Sequence, residues 1–351
     1  MVVSAYAGVR RFTRPREGAA SAHDRTRDWK GGSAVPRRPL IGPSAVLAAV
    51  LGTALLAGCG ERGLAAAARP SRDATPRPVT ATREDATAAF AALADLADAW
   101  QRRDCAKIEF LTTWTESVLS GRACQAARRG NPVPAAAGGY TDAEFYLPEE
   151  PGDLPWFAAL AHKPRPAYFV FVRSDGRWRL GAGPVPVVGA LPELEEGRVA
   201  PEPDRDARVR AGLAPTRLLA FLTDPAGVSG VRVRSGDPMR DLLRELTDRS
   251  AADRPDRMSA EARLEGPAYA LPLPGGGALV FHTLRIVVTQ KPGAGRPAYK
   301  AAAVRAFTGR GATGGGAVTG HELLFLATRV SAKGVLDTVA MRRALADVTV
   351  S

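Results

Sequence analysis

The apolar positions of the first regular segment follow a helical period. Thr82-Arg83-Glu84-Asp85 has the composition of a capping box, in which a threonine and an acidic residue satisfy each other's backbone N–H groups. One apolar face follows at Phe90, Leu93, Leu96, Ala97 and Trp100. Arg102 and Arg103 suit the negative end of a helix dipole. The pattern predicts a helix that begins at Thr82 and ends at Arg103.

A second helix is predicted from Asp104 to about Leu119, because its apolar positions keep the same period and Gly121 supplies a stop. Residues 125–166 are rich in Pro, Gly and Ala and give no clear period. A run of aromatic and β-branched residues at 168–172 predicts a strand, and Asp175-Gly176 then marks a hairpin turn. Prolines at 184 and 186 predict an edge strand. Helices followed by antiparallel strands indicate a first α+β domain at 82–188.

The same order of elements returns further along the chain. Residues 189–214 are acidic and proline-rich with few apolar positions, which predicts a linker between domains. Pro215 is expected to open a short helix, and Asp237-Pro238 to cap another. Strands are predicted near 258–265, 267–273, 278–289, 298–308, 317–330 and 335–341. Residues 215–351 therefore form a second predicted α+β domain.

An apolar run from Leu40 to Ala57 precedes these domains and ends at a cysteine. Arg37-Arg38 lies before the run, and Cys59 after it, so the parts of a secretory signal are present at 35–58. The tripeptide before the cysteine, Leu56, Ala57 and Gly58, resembles a bacterial lipobox, in which the cysteine is acylated. An uncleaved membrane anchor is the alternative, because about 18 residues is the lower limit for a span.

The residues on either side of this signal carry no apolar period. Residues 1–34 are interpreted as a mis-assigned start or a disordered extension, and 59–81 as a flexible tether. Half of the formal net charge of +12 lies in residues 1–38. The chain beyond the signal is therefore only mildly basic, which argues against a nucleic-acid partner.

Two cysteines remain in the predicted mature chain beyond the lipidated one. Cys105 and Cys124 are expected to form a disulfide, because an extracytoplasmic compartment is oxidising. A redox dithiol is the alternative, but no Cys-x-x-Cys spacing supports it.

A resemblance covers residues 82–350. Phe169 to Leu180, with its Asp-Gly turn and Trp178, and Ala268 to Phe281, with its glycine turn, resemble the hairpins of tandem NTF2-like or cystatin-like domains in actinobacterial secreted lipoproteins. The resemblance implies that each domain packs its helices against a curved antiparallel sheet. It carries no catalytic motif, and an NTF2-like cavity is an active site in some proteins and a ligand pocket or a filled core in others.

The candidate catalytic motifs are all weak. Residues 309–314 match G-x-G-x-x-G, but further glycines follow where a nucleotide site needs a helix. The histidines at 162, 282 and 321 lack a metal-binding spacing, and Glu149-Glu150 is a loop pair without opposed carboxylates. The sequence therefore predicts no enzyme, no cofactor and no metal.

One cluster of aromatic residues is the candidate contact for a ligand or partner. It lies in the segment 138–160 and comprises Tyr140, Phe145, Tyr146, Trp156 and Phe157. A lid over a cavity, a partner-facing patch and simple core packing are the three interpretations. We expect a non-enzymatic binding or scaffold module on the outer face of the cytoplasmic membrane. Its expected partners are membrane lipid, through acylated Cys59, and an envelope protein; the alternative is a carrier of a small apolar ligand or lipid.

Overall fold

The computed structural model describes residues 80–134, 137–202, 204–252, 257–293, 297–309 and 316–351, without the side chains of 249–252. The predicted extension at 1–34, the signal at 35–58 and nearly all of the tether at 59–81 lie outside these residues. The described residues all belong to one structural unit. The fold is α+β, as predicted, with two mainly antiparallel sheets and flanking helices.

The first helical segment begins as the capping box predicts. α1 spans Arg83–Ala91 and α2 spans Leu93–Arg102. The Asp85 N–H donates to Thr82 Oγ1 at 3.1 Å, and the Thr82 N–H donates to Asp85 Oδ2 at 3.1 Å. Arg103 ends α2 in the left-handed region, with φ 56°.

The second predicted helix is two helices. α3 spans Cys105–Leu111 and α4 spans Trp114–Arg128, so the prediction of one helix from 104 to 119 is wrong. Thr112 and Thr113 are extended between them, because the Thr113 N–H donates to the Leu180 carbonyl at 2.8 Å. A hydrogen bond to a distant strand therefore interrupts the helix. Gly121, the predicted stop, lies inside α4.

The first sheet has five strands. These are β1 (Thr141–Pro148), β2 (Trp156–Lys163), β3 (Ala167–Ser174), β4 (Arg177–Pro186) and β5 (Gly197–Val199), in the order β4-β3-β2-β1-β5. The predicted β3–β4 hairpin is present, with its turn at Asp175 (φ 50°) and Gly176 (φ 74°). β4 lies at the sheet edge, as its prolines indicate. The unassigned segment before residue 166 contains β1 and β2.

Half of the predicted linker at 189–214 lies in a strand or a helix. β5 pairs in parallel with β1, and α5 spans Arg205–Thr223 behind the Asp204 cap. Pro215 lies inside α5 and does not open it, which corrects the predicted helix start. The inward positions of its first half are Ala207, Ala211 and Ala214. These small side chains pack the helix against the core. Because alanine is only weakly apolar, they contribute little to the hydrophobic periodicity by which a helix is predicted.

The second sheet is the predicted meander with two corrections. α6 (Pro238–Ala252) begins at the predicted Asp237-Pro238 cap, and β6 (Met258–Leu273), β7 (Gly277–Gln290), β8 (Val318–Val330) and β9 (Leu336–Val350) pair in chain order. The two strands predicted at 258–273 are one strand with a bulge between Glu265 and Tyr269. The strand predicted at 298–308 is instead helix α7, Ala301–Thr308.

The two sheets pack face to face, and helices cover their outer faces. Trp156 and Tyr168 project from the first sheet onto Tyr269 and Phe281 of the second, with ring centroids 5.0 and 5.4 Å apart. The opposite face of the first sheet packs against α1 through Phe90. The outer face of the second sheet packs against α5 and α6. The layer order is therefore helix, sheet, sheet, helix.

Candidate functional site

The residues predicted to carry the lipid anchor are outside the described part of the chain. Cys59 and the lipobox residues Leu56, Ala57 and Gly58 all fall there. Among the described helices, none is both long and apolar enough to cross a membrane. The acylation of Cys59 stays a prediction from sequence.

The predicted disulfide joins Cys105 to Cys124. Cys105 is the first residue of α3 and Cys124 lies inside α4, with their Cα atoms 5.7 Å apart. In the chain-entropy picture, closing a loop of this length stabilises a fold by about 3 kcal/mol. The bridge therefore ties together two helices that a short extended segment separates.

The aromatic cluster is part of the core. Phe145, Tyr146, Trp156 and Phe157 are at most 6% exposed, and Tyr140 packs at 5.0 Å from the Phe169 ring. They lie on or beside the paired strands β1 and β2, so the segment that shows no clear period in the sequence is part of the sheet. Of the three interpretations, their placement corresponds to core packing. Burial raises the pKa of Tyr146, whose hydroxyl donates to Glu144 at 2.7 Å.

A mostly apolar cavity lies where the predicted linker meets the second sheet. It has a volume of about 290 Å³. One wall is the first half of α5, another is the segment 199–202 after β5, and the third is the end of the β6–β7 hairpin. The lining is mostly apolar and small: Pro148, Val199, Ala200, Pro201, Ala207, Ala211, Gly212, Ala270, Pro272 and Ala278. We call this cavity the α5 pocket.

Small residues on α5 create this space. Ala207 and Ala211 are buried on the pocket wall, one turn apart, and Gly212 follows at the exposed rim. A Cβ atom at Gly212 would meet nothing within 4 Å. Larger side chains at these positions would fill the cavity. The sequence interpretation missed the pocket because it assigned two of the three walls to a linker.

Three charged residues line the α5 pocket: Glu150, Glu202 and Arg208. Arg208 donates to the backbone carbonyl of Glu202 and has no carboxylate partner among the described residues. Arg210, two positions further along α5, donates to the Gly276 carbonyl at 3.4 Å and so holds the helix to the β6–β7 turn. The pocket thus combines an apolar interior with a polar rim, the usual layout of a small-molecule site.

The titratable groups elsewhere do not form a catalytic constellation in the described structure. His282 is buried on β7, its Nε2 lies 3.0 Å from Thr328 Oγ1, and burial lowers its pKa to about 3. Glu116 of α4 pairs with Arg342 of β9, both buried; burial raises the pKa of Glu116 while the guanidinium opposes the shift. Within the described ranges, no group of three or more His, Cys, Asp or Glu residues lies close enough to hold a metal ion.

A protein family matches this chain over both sheets. Its sequence model carries the description "Domain of unknown function (DUF8094)" and matches residues 115–334, more than half of the chain. The chain belongs to the DUF8094 family. The DUF8094 match begins in α4 and ends in the turn before β9, so it includes all three walls of the α5 pocket. Neither a curated protein nor a solved structure matches the chain.

Proposed function

We propose that this protein is a non-enzymatic binding module that takes a small apolar ligand into the α5 pocket. The pocket itself is the observation that carries the proposal. Its volume of about 290 Å³ lies just below the range of roughly 300–1,000 Å³ for drug-sized ligand sites, so it fits a small ligand. An apolar molecule that leaves water for this space gains about 25 cal/mol per Å² of buried apolar surface. The polar rim would orient a ligand that has one polar end.

The proposal includes a lipid anchor at Cys59 on the outer face of the cytoplasmic membrane. Its support is the sequence alone: an apolar run after Arg37-Arg38, small residues, and a cysteine at the end. Two acyl chains would make this attachment durable, because each buried CH₂ contributes about 0.8 kcal/mol. The segment 59–81 would then set how far the pocket reaches from the membrane.

We also propose that the two halves are tandem NTF2-like or cystatin-like modules. In support, helices precede a four-stranded antiparallel meander twice, first α1–α4 before β1–β4 and then α5–α6 before β6–β9. The α5 pocket then lies at the junction of two modules and not in the central cavity of either one.

A scaffold role with an envelope protein is the second candidate. Val209 and Leu213 on α5 lie one helical turn apart and are 51% and 49% exposed. Such a pair beside the pocket is the beginning of an apolar contact surface. A scaffold would need no retained small molecule, which separates the two candidates experimentally.

Gly212→Leu tests the binding proposal because it places a side chain at the open rim of the pocket. The glycine has ordinary helical geometry, so leucine introduces no backbone strain there. We expect the full chain, extracted from its own membrane fraction, to retain a small molecule in native mass spectrometry. We expect the variant to lose that molecule and to bind the fluorescent fatty acid cis-parinaric acid at least about tenfold more weakly, which corresponds to about 1.4 kcal/mol.

Gly121→Leu is the matched control. Gly121 is also an exposed helical glycine, and a Cβ there also meets nothing within 4 Å, but it lies on α4 away from the pocket. We expect Gly121→Leu to bind cis-parinaric acid as tightly as the wild type does. A wild type with no retained molecule and equal cis-parinaric acid binding in both variants would contradict the pocket proposal and favour the scaffold role. A mass that begins before Cys59 would contradict the anchor.

A further inference from the structure

A second pocket lies at one end of the second sheet, on the other side of the β6–β7 turn. Residues of the β6–β7 turn, residues of the β8–β9 turn and Arg234 line a space of about 310 Å³. The segment 232–234 is fixed there by two backbone hydrogen bonds of 2.9 Å to Leu336. Among the described residues, the linings of the two pockets have Gly277 in common.

Two arginines converge on one carboxylate in this second pocket. Arg234 donates to Asp337 Oδ2 at 3.2 Å, and Arg329 donates to the same oxygen. The Asp337 side chain is 10% exposed, whereas Arg234 and Arg329 are 56% and 34% exposed. Each guanidinium uses one of its nitrogens on Asp337 and makes no other hydrogen bond in the described structure. Each guanidinium therefore has further N–H donors that do not bind Asp337. Their planar arrangement is suited to binding an oxyanion.

Three further arginines contact the backbone of the segments beside this pocket, and none of them has a carboxylate partner among the described residues. Arg232 donates to the Lys333 carbonyl, and Arg240 donates to the Arg234 carbonyl at 2.9 Å. Because these two guanidinium groups bind neutral carbonyls, their charge is not compensated there. Arg217 lies against Gly334 of the β8–β9 turn. Among the described residues that line the pocket, Asp337 is the one acidic residue.

We infer that this end of the second sheet binds an oxyanion of the phosphate class between Arg234 and Arg329. A phosphate group offers several acceptor oxygens to two guanidinium forks, and arginine is the preferred residue for such recognition. The Ser331 hydroxyl already accepts the Val335 N–H at 3.0 Å, which holds the β8–β9 turn in place beside the arginines. The ligand is either a free phosphate ester or the phosphate of a lipid headgroup.

Arg329→Gln tests the site with inorganic phosphate as the probe. The full chain, reconstituted in nanodiscs of phosphatidylcholine, is titrated with phosphate while hydrogen exchange of the 331–337 segment is followed. We expect saturable protection in the wild type and about a tenfold or greater loss of affinity in the variant, as for loss of one charge-assisted hydrogen bond. Arg263→Gln is the control, because Arg263 lies on the same sheet in an exposed ion pair with Glu261. It should bind as the wild type does.

Asp337→Asn distinguishes ligand binding from simple loss of stability. The substitution removes the carboxylate that competes with the ligand for both arginines and keeps an acceptor oxygen in place. We expect phosphate to bind several-fold more tightly to this variant. If the substitution instead destabilised the pocket, phosphate would bind more weakly than to the wild type.

A second arm identifies the source of the phosphate group. In nanodiscs of phosphatidylglycerol without added phosphate, protection of 331–337 that depends on Arg329 would assign the site to a lipid headgroup. Protection by inorganic phosphate in phosphatidylcholine nanodiscs alone would assign it to a soluble ester. If neither probe distinguishes the wild type from Arg329→Gln, or if Arg263→Gln is affected equally, the inference is overturned.

Discussion

His282 is a neutral core residue whose burial should be visible in the pH dependence of stability. It is 2% exposed on the face of β7 that packs against α5 and α6, and its pKa is lowered to about 3. In the unfolded chain a histidine takes up a proton near pH 6.5. Between these two values the unfolded state binds one more proton than the folded state, so acid favours unfolding.

We predict that His282→Gln flattens the pH profile of stability. In the wild type, the free energy of unfolding should fall from pH 6.5 toward pH 3, with His282 contributing up to about 1.4 kcal/mol per pH unit. The variant should lose that contribution. Urea unfolding followed at pH 7, 6, 5 and 4 measures the slope.

Thr328→Val is the control for His282→Gln. It removes the hydroxyl 3.0 Å from His282 Nε2 but keeps the imidazole and the packing volume. The free energy of unfolding should fall by about 1 kcal/mol at every pH, and the slope should persist. Equal slopes in the wild type and His282→Gln would contradict the prediction.

At the scale of elements, the bulge in β6 makes room for the start of α4. Trp114, the first residue of α4, has φ 48°, a conformation that is uncommon for any residue except glycine. Its ring packs edge-on against Tyr269, with centroids 5.1 Å apart, and its indole Nε1 lies directly against Gly266. Gly266 itself has φ 68°. Glycine is therefore required at position 266 for two reasons: the backbone is in the left-handed region, and a Cβ atom would clash with the Trp114 indole.

We predict that Gly266→Ala is among the more destabilising alanine substitutions in this chain. The left-handed conformation alone costs about 1–2 kcal/mol. The clash with the Trp114 indole adds about 1–3 kcal/mol, as for other overpacked cores. Gly176→Ala is the comparison, because Gly176 has φ 74° but open space around its Cβ position. Chemical denaturation of both variants should show a larger loss for Gly266→Ala; equal losses would mean that α4 moves aside without cost.

At the scale of the whole molecule, the two sheets are joined by packing and by a buried ion pair. Glu116 of α4 binds Arg342 of β9, and both side chains are at most 7% exposed. Arg342 also donates to the Gly183 carbonyl of β4 at 2.8 Å and lies 4.0 Å from the Phe325 ring centroid. This single side chain therefore connects elements from both predicted domains.

We predict that the described part of the chain unfolds in one transition and that Glu116→Gln lowers its midpoint as a whole. Removing one partner of a buried pair leaves the other charge uncompensated and costs about 3–5 kcal/mol. Glu196→Gln breaks the exposed pair with Arg83 and should cost at most about 1 kcal/mol. Scanning calorimetry measures both. Two separate peaks, of which Glu116→Gln moves one, would show that 82–188 and 215–351 unfold independently.

The sequence predicted those features that depend on short-range chemistry. The capping box at Thr82, the cap at Asp237-Pro238 and the Asp175-Gly176 turn are each determined by residues within a few positions of one another. The meander of the second sheet follows from its apolar runs and the glycine and proline turns between them, and the disulfide from the scarcity of cysteine. The candidate site did not follow in the same way. Four of the five aromatic residues are buried in the core, Tyr140 packs against it, and two walls of the α5 pocket come from the predicted linker.

By itself, then, the sequence determined the α+β class, the boundaries at Thr82, Asp175-Gly176 and Asp237-Pro238, and the pairing of Cys105 with Cys124. Only the tertiary structure decided that α4 begins anew at Trp114, that 205–223 is one helix through Pro215, and that the two sheets stack on each other. The physical reason is the range of the interactions. Each of these features depends on residues that are distant in the sequence: a hydrogen bond to Leu180, alanines buried under a neighbouring sheet, and rings that pack across two sheets. Such contacts leave little trace in the local pattern of apolar and polar residues.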